Sequence, residues 1–160
     1  MMEYTIRAAL PEDLEGLYGV FILADKVHQQ AHPEIFKKTD DSDSVKEFLL
    51  ASIRSSDSAI FVAQNQIEIV GAVLAFIRQT RDISILVQRT YLSVDNLVVA
   101  EGHRQKGLGR ALMEEVHLWA KDRGINQIHL TVWDFNKGAQ EFYTKLGYKM
   151  LHHRMRKVLS

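Results

Sequence analysis

Arg104-Gln105-Lys106-Gly107-Leu108-Gly109-Arg110 is the stretch whose reading decides the fold. Before it, Tyr91 to Val99 reads as a strand and Ala100 to Lys106 as a loop. After it, Leu108, Ala111, Leu112, Val116, Trp119 and Ala120 fall on one stripe of a helix that Gly124 ends. A helix start carries unpaired backbone N–H groups and a partial positive charge, so this junction is a natural anion site. Gly107 and Gly109 remove side chains where the backbone must approach an anion. Arg104, Lys106 and Arg110 add formal positive charge. Two other phosphate loops fail on residue identity. Gly102 and Gly107 have Walker A spacing, but Leu108-Gly109 stands where Lys-Ser/Thr is required. The dinucleotide fingerprint needs a third glycine at the place of Leu112.

Working outward, Thr5 to Ala9 reads as a first strand. Pro11-Glu12-Asp13 then opens a helix with Leu14, Leu17, Tyr18, Phe21 and Ile22 at helical spacing. Lys37 to Ser44 is polar and acidic, as in a loop, and a second helix follows from Ser44 to Ile53. Ala59 to Ala63 and Ile69 to Ile77 form a hairpin about Gln64-Asn65-Gln66. Thr80 to Arg89 reads as a loop with strand-like ends. Downstream come a strand from Gln127 to Trp133, a helix from Asn136 to Leu146, and one or two strands from Tyr148 onward. The order β-α-α-β-β-β-α-β-α-β defines a mixed α/β domain. No repeat, low-complexity tract or linker interrupts it.

Bulk properties narrow the function classes. The 160 residues suit one domain, spanning 1–160, and the hydrophobic share of 46% supplies a core. Twenty basic residues balance twenty acidic ones, so no net charge draws the chain to nucleic acid or an anionic membrane. The absence of cysteine excludes disulfides, thiolate metal sites and a Cys nucleophile. With no signal-peptide core and no apolar run of membrane length, the expectation is a cytoplasmic protein.

At this point the sequence resembles the GNAT superfamily of N-acetyltransferases. The Arg104 to Gly109 run is similar to its Arg/Gln-x-x-Gly-x-Gly/Ala signature, and Asp95-Asn96-Leu97-Val98-Val99 to the strand that lines the acetyl group. Asn136, Ala139, Phe142-Tyr143 and Leu146-Gly147-Tyr148 resemble the family's second motif. The strong match covers Val94 to Lys149; the hairpin and the first helices agree in order only. The resemblance implies a single-domain GNAT fold, with a mixed sheet splayed between its fourth and fifth strands and acetyl-CoA in the gap. It implies that Leu97, Val98 and Val99 pair with the pantetheine arm and that Arg104, Gln105, Lys106, Gly107, Leu108, Gly109 and Arg110 hold the pyrophosphate. Asn136 and Ala139 would contact the cofactor, and Tyr143 would sit near the thioester sulfur.

The implied reaction is direct acetyl transfer to a primary amine, without an acyl-enzyme or a metal. Asp95 is the candidate base, and strand alternation predicts that Asp95, Leu97 and Val99 share a face. The Val99 N–H is a candidate oxyanion donor. Tyr143 is a candidate acid for the departing thiolate, though a Tyr near pKa ~10 is weaker than a thiol near ~8.5. Asn136 also has the residue type of a helix N-cap.

Other features carry less. His28 and His32 have zinc-pair spacing, but the Glu of the metalloprotease motif is missing and Pro33 follows. The segment is expected to line the acceptor pocket, where Asp25 and Glu34 would attract a cationic amine. Arg154, Met155, Arg156 and Val158 alternate as in an edge strand, and such strands offer a route to a homodimer. Family members that modify ribosomal-protein N-termini usually carry Glu where Thr131 stands, which favours a small-molecule acceptor. The alternatives are a protein N-terminal or lysine acetyltransferase and a non-catalytic CoA-binding module.

Overall fold

The structure is a computed structural model describing residues 3–38 and 41–160. Residues 39 and 40, inside the loop expected before the second helix, lie outside the described residues. The elements are β1 (Thr5–Ala8), a 3-10 turn (Pro11–Asp13), α1 (Leu14–Ala31), α2 (Ser42–Arg54), β2 (Ser58–Gln64), β3 (Ile69–Gln79) and β4 (Thr90–Val99). A 3-10 turn (Glu101–His103), α3 (Leu108–Asp122), β5 (Ile128–Leu130) and α4 (Lys137–Lys145) follow. The sheet order is β1-β2-β3-β4-β5. Every pairing is antiparallel except the parallel β4–β5.

Each element has a local cause. Asn65 Oδ1 accepts from the N–H groups of Ile67 and Glu68, both at 2.8 Å, which closes the β2–β3 hairpin where the turn is expected. Asp41 Oδ1 accepts from Ser44 N–H at 3.0 Å and caps α2. β2 and β3 are apolar runs because both of their faces are covered. On one face, Leu112, Met113 and Val116 of α3 pack over Ala63, Val73, Ala75 and Leu92. On the other, Leu17, Val20 and Phe21 of α1 and Leu49 of α2 pack over Ile60, Val62, Ala72 and Leu74. The expected α3 stripe is therefore the buried one, with Met113 added to it.

One register irregularity sets up the site. Leu74 pairs with Asn96 but Ala75 pairs with Val94, so Asp95 is an extra residue in β4, a bulge. Leu92 and Val94 before it, and Leu97 and Val99 after it, all pack on the α3 face. Val98 packs on the α1 face. Unbroken alternation would have put Val94 and Leu97 on opposite faces. The expectation that Asp95 shares a face with Leu97 and Val99 is thus corrected. The Asp95 carboxylate accepts from Ser93 Oγ at 2.8 Å and Arg78 Nη2 at 3.2 Å. Arg78 continues the row of Leu74 and Phe76, which pack on the α1 and α2 side.

The C-terminal part departs from expectation twice. The strand expected from Gln127 to Trp133 shrinks to Ile128–Leu130. No strand forms from Tyr148 onward. An edge of three residues offers a poor ladder, and Arg156 Nη2 reaches Glu34 Oε1 at 3.1 Å instead. Met155 and Val158, expected on an edge strand, are 92% and 79% exposed.

Arg7 anchors the entry to α1. It donates to both carboxylate oxygens of Asp13 at 2.7 and 2.8 Å and to Gln64 Oε1 at 2.7 Å. Leu10 N–H also donates to Asp13, at 2.8 Å, and Asp13 is only 9% exposed. The hydrogen bonds from Arg7 hold this carboxyl below the ordinary aspartate range. Asp13→Asn is expected to cost about 3 kcal/mol at pH 7 in urea denaturation, since it leaves a part-buried arginine without its counter-charge. A lowered carboxyl pKa stabilises above the unfolded value of ~3.9 and is lost as pH falls through the folded one. The gap between the two proteins should therefore narrow below about pH 4.

Candidate active site

The sheet opens beside β4. Its ladder to β5 stops at Val94–Leu130, so Asp95 to Val99 keeps β3 on one side and, among the described residues, has no strand on the other. Ala100 N–H donates to Val70 O at 2.8 Å. Backbone alternation then turns the Val98 amide toward β3 and the amides of Leu97 and Val99 toward the opening. The Val99 carbonyl is taken by Arg104 Nε at 2.9 Å. The opening is thus offered the N–H and C=O of Leu97 and the N–H of Val99. Val98 faces β3 with its backbone and the α1 core with its side chain, so it supports this edge without lining it.

The loop after β4 bends through two left-handed residues, Gln105 (φ +61) and Gly107 (φ +79). Gly107 is the N-cap of α3, has no side-chain cap, and is followed by no acid in the first turn. A Cβ at Gly107 would meet nothing within 4 Å, so its φ is the constraint, not space. The first closure of α3 is Ala111 N–H to Gly107 O at 3.0 Å, which leaves the N–H groups of Leu108, Gly109 and Arg110 to a ligand. Gly109 has a second reason to be glycine: a Cβ there would stand 3.3 Å from Phe142 Cζ of α4. Among the described residues, Arg104, Lys106 and Arg110 join no ion pair, so their charge is uncompensated. Lys106 Nζ donates to Gly102 O at 3.1 Å and Tyr4 Oη at 3.3 Å.

Across the opening stands α4. Asn136 Oδ1 accepts from Ala139 N–H at 3.1 Å, which makes Asn136 the N-cap and leaves its amide NH₂ to donate outward. Tyr143 lies on the α3 face with Leu97 and Val99. Its ring is edge-on to Phe142 at 5.1 Å and to Tyr148 at 5.6 Å. Burial pushes its phenol up to about 12. Its hydroxyl has no hydrogen-bond partner among the described residues, yet no side-chain oxygen there is sealed without one. The hydroxyl is therefore not fully sealed from the surface. Sequence reasoning missed His117, whose Nε2 lies 2.8 Å from Tyr148 Oη, because a histidine between Val116 and Leu118 carries no motif.

On the remaining side, α1 meets the segment after β5. His32 packs on Trp133 at 5.0 Å, Phe36 on Trp133 at 5.3 Å, and His28 on Phe135 at 6.1 Å. Glu34 is engaged by His32 at 3.1 Å and by Arg156. Asp25 forms no ion pair among the described residues, and burial pushes its carboxyl up. Of the two acids proposed to attract an amine, Asp25 is the unpaired one.

A strand edge split from its neighbour and an uncapped helix start beside it, with Tyr143 packed on the same face, mark the candidate site of this mixed α/β sheet. The model of the acetyltransferase (GNAT) family matches residues 24–148, and the chain belongs to that family. Human N-acetyltransferase 8B is 30% identical over 147 residues, covering 88% of this chain and 58% of its own length. An uncharacterized N-acetyltransferase of Methanocaldococcus jannaschii is 27% identical over 146 residues, covering 91% and 61%. The chain thus spans about three-fifths of the length of these relatives. Among solved structures, a tetramutant of the BH1408 protein of Bacillus halodurans superposes with a TM-score of 0.88 at 24% identity, covering 97% of this chain and 99% of that one. The aminoglycoside N-acetyltransferase AAC(6')-Iy in complex with CoA gives 0.75 at 19% identity, covering 99% and 96%. These likenesses establish the fold.

Proposed function

We propose that this chain transfers the acetyl group of acetyl-CoA directly to the primary amine of a small cationic molecule. The observation that carries the proposal is the split after Val94 and Leu130, flanked by the uncapped start of α3. In this reading the pantetheine arm pairs with Leu97 and Val99. The pyrophosphate rests on the N–H groups from Leu108 to Arg110, with Lys106 and Arg110 supplying charge and Gln105 shaping the loop. Asn136 and Ala139 border the arm. The fold neighbour solved with CoA supports the cofactor class, and its naming as an aminoglycoside acetyltransferase supports a small-molecule amine.

The chemistry follows from the groups present. An amine of pKa ~10 is mostly protonated at pH 7 and must shed a proton before it attacks. Asp95 takes that proton through a water: Ser93 and Arg78 each occupy one of its oxygens, and each oxygen keeps a further lone pair. The amine nitrogen then bonds to the thioester carbon, and the Val99 N–H holds the oxyanion. Collapse breaks the C–S bond, and the surplus proton of the new amide nitrogen passes to the sulfur. Tyr143 hydrogen-bonds the departing sulfur. With its phenol near 12 it is too weak an acid to hand its own proton to a thiolate. Asp25 and the aromatic wall of Phe36, Trp133 and Phe135 recognise the cationic acceptor.

Calorimetry with acetyl-CoA, CoA, ATP and NAD tests the first half. Binding of acetyl-CoA and CoA alone is expected. A folded protein that ignores acetyl-CoA would end the proposal. Release of free thiol with a panel of amines tests the second half, and binding without release would favour a CoA-binding module. Asp95→Asn is expected to lower kcat at least tenfold at pH 7, toward the ~10²- to 10⁴-fold ordinarily contributed by a general base. The deficit should close toward pH ~10, where the amine loses its proton unaided. Full rate across the pH range would remove Asp95 from this role.

A further inference from the structure

Tyr143 is held from two directions, and both supports trace to α3. Phe142 leans its ring tip over Gly109 in the first turn of that helix. Tyr148 supplies the second ring contact. Gly147 has φ +89 and reverses the chain after α4, so that Tyr148 N–H donates to Tyr143 O at 3.0 Å and Gly147 N–H to Thr144 O at 3.0 Å. This turn brings the Tyr148 ring edge-on to that of Tyr143, 5.6 Å away. The far end of Tyr148 is pinned at 2.8 Å to Nε2 of His117, a half-buried residue of α3. Burial pushes the His117 imidazole below its usual range and the Tyr148 phenol above, and the 2.8 Å hydrogen bond joins the two side chains whichever imidazole nitrogen carries the proton.

We infer that His117 and Tyr148 are positioning residues, a strut that fixes the ring of Tyr143 relative to the pyrophosphate end of α3. The inference rests on the role given to Tyr143 above. The reacting sulfur and the pyrophosphate belong to one ligand, so the group at the sulfur must keep a set distance from the helix start. A strut rooted in α3 supplies that distance. Among the described residues the hydroxyl of Tyr143 has no hydrogen-bond partner, so its direction depends on how its ring is packed.

The test uses the full chain with acetyl-CoA and an amine acceptor from the thiol-release panel. Tyr148→Phe keeps the ring and deletes the hydroxyl, His117→Leu deletes its hydrogen-bond partner, and His117→Gln restores a polar partner. His117→Leu and Tyr148→Phe are each expected to lower kcat about tenfold, with KM for acetyl-CoA within about twofold, as misplacement of a reacting group does. His117→Gln should recover most of the rate, and the double variant should be no slower than either single one. In a Tyr143→Phe background, His117→Leu should cost nothing further. A further loss in that background, or a KM that rises as kcat falls, would overturn the strut. Ring resonances of Tyr143 in tyrosine-labelled protein give a readout without turnover. They should shift in His117→Leu, and unchanged resonances would overturn the inference whatever Tyr143 does in catalysis. Shifted resonances beside a silent Tyr143→Phe would keep the strut and remove Tyr143 from the chemistry.

Discussion

Tyr143→Phe is expected to lower kcat by about 10- to 100-fold, the size of a lost hydrogen bond to a developing charge, while acetyl-CoA affinity stays within about twofold. The ring is what packs against Phe142 and Tyr148, and phenylalanine keeps it. Only the hydroxyl is lost, and it holds up no part of the fold among the described residues. The mechanism of the loss follows from the phenol standing near 12. Complete proton transfer to a thiolate of pKa ~8.5 would be uphill by roughly 5 kcal/mol, so the hydroxyl acts as a neutral donor that keeps its proton. Rate should therefore not fall through ionisation of Tyr143 between pH 8 and about 10. Steady-state kinetics with calorimetric affinity separates the effects. Equal losses in kcat and affinity would place Tyr143 in ground-state binding, and an unchanged kcat would take it out of the chemistry.

Gly107→Val is expected to weaken acetyl-CoA binding at least tenfold, because a left-handed L-residue costs about 1–2 kcal/mol and a β-branched one more. Relaxing Gly107 out of φ +79 swings the start of α3, and the N–H groups of Leu108, Gly109 and Arg110 no longer converge. Calorimetry on folded variant protein reads the loss directly. Gly107→Ala should show less, since alanine brings the left-handed strain without a β-branch. Gly102→Ala is the control, because that glycine has neither a positive φ nor a close neighbour. Equal affinity in Gly107→Val and the control would mean that the helix start does not hold the anion.

Much of the frame was legible along the chain. The α3 stripe, the β2–β3 hairpin about Asn65 and the cap at Asn136 are local patterns, because helix packing, tight turns and capping involve residues a few positions apart. The proposed anion loop is local in the same way, since its glycines and cations lie within seven consecutive residues, Arg104 to Arg110. The bulge at Asp95 was not legible: it is a register between β3 and β4, and nothing in Val94-Asp95-Asn96 alone marks the extra residue. It moved Asp95 away from Leu97 and Val99 and onto Arg78. Glu34 passed as a free acid until Arg156, 122 positions later, proved to lie beside it. His117 and Tyr148, 31 apart, meet only because α3 and the turn after α4 pack together. The sequence by itself determined the four helices and the strands as far as β4, and it pointed to residues 104–110 as an anion loop; it did not determine the C-terminal strands. Tertiary structure alone decided which side chains share the opening, because pairing register and charge partners are settled between segments far apart in the chain, where no local periodicity records them.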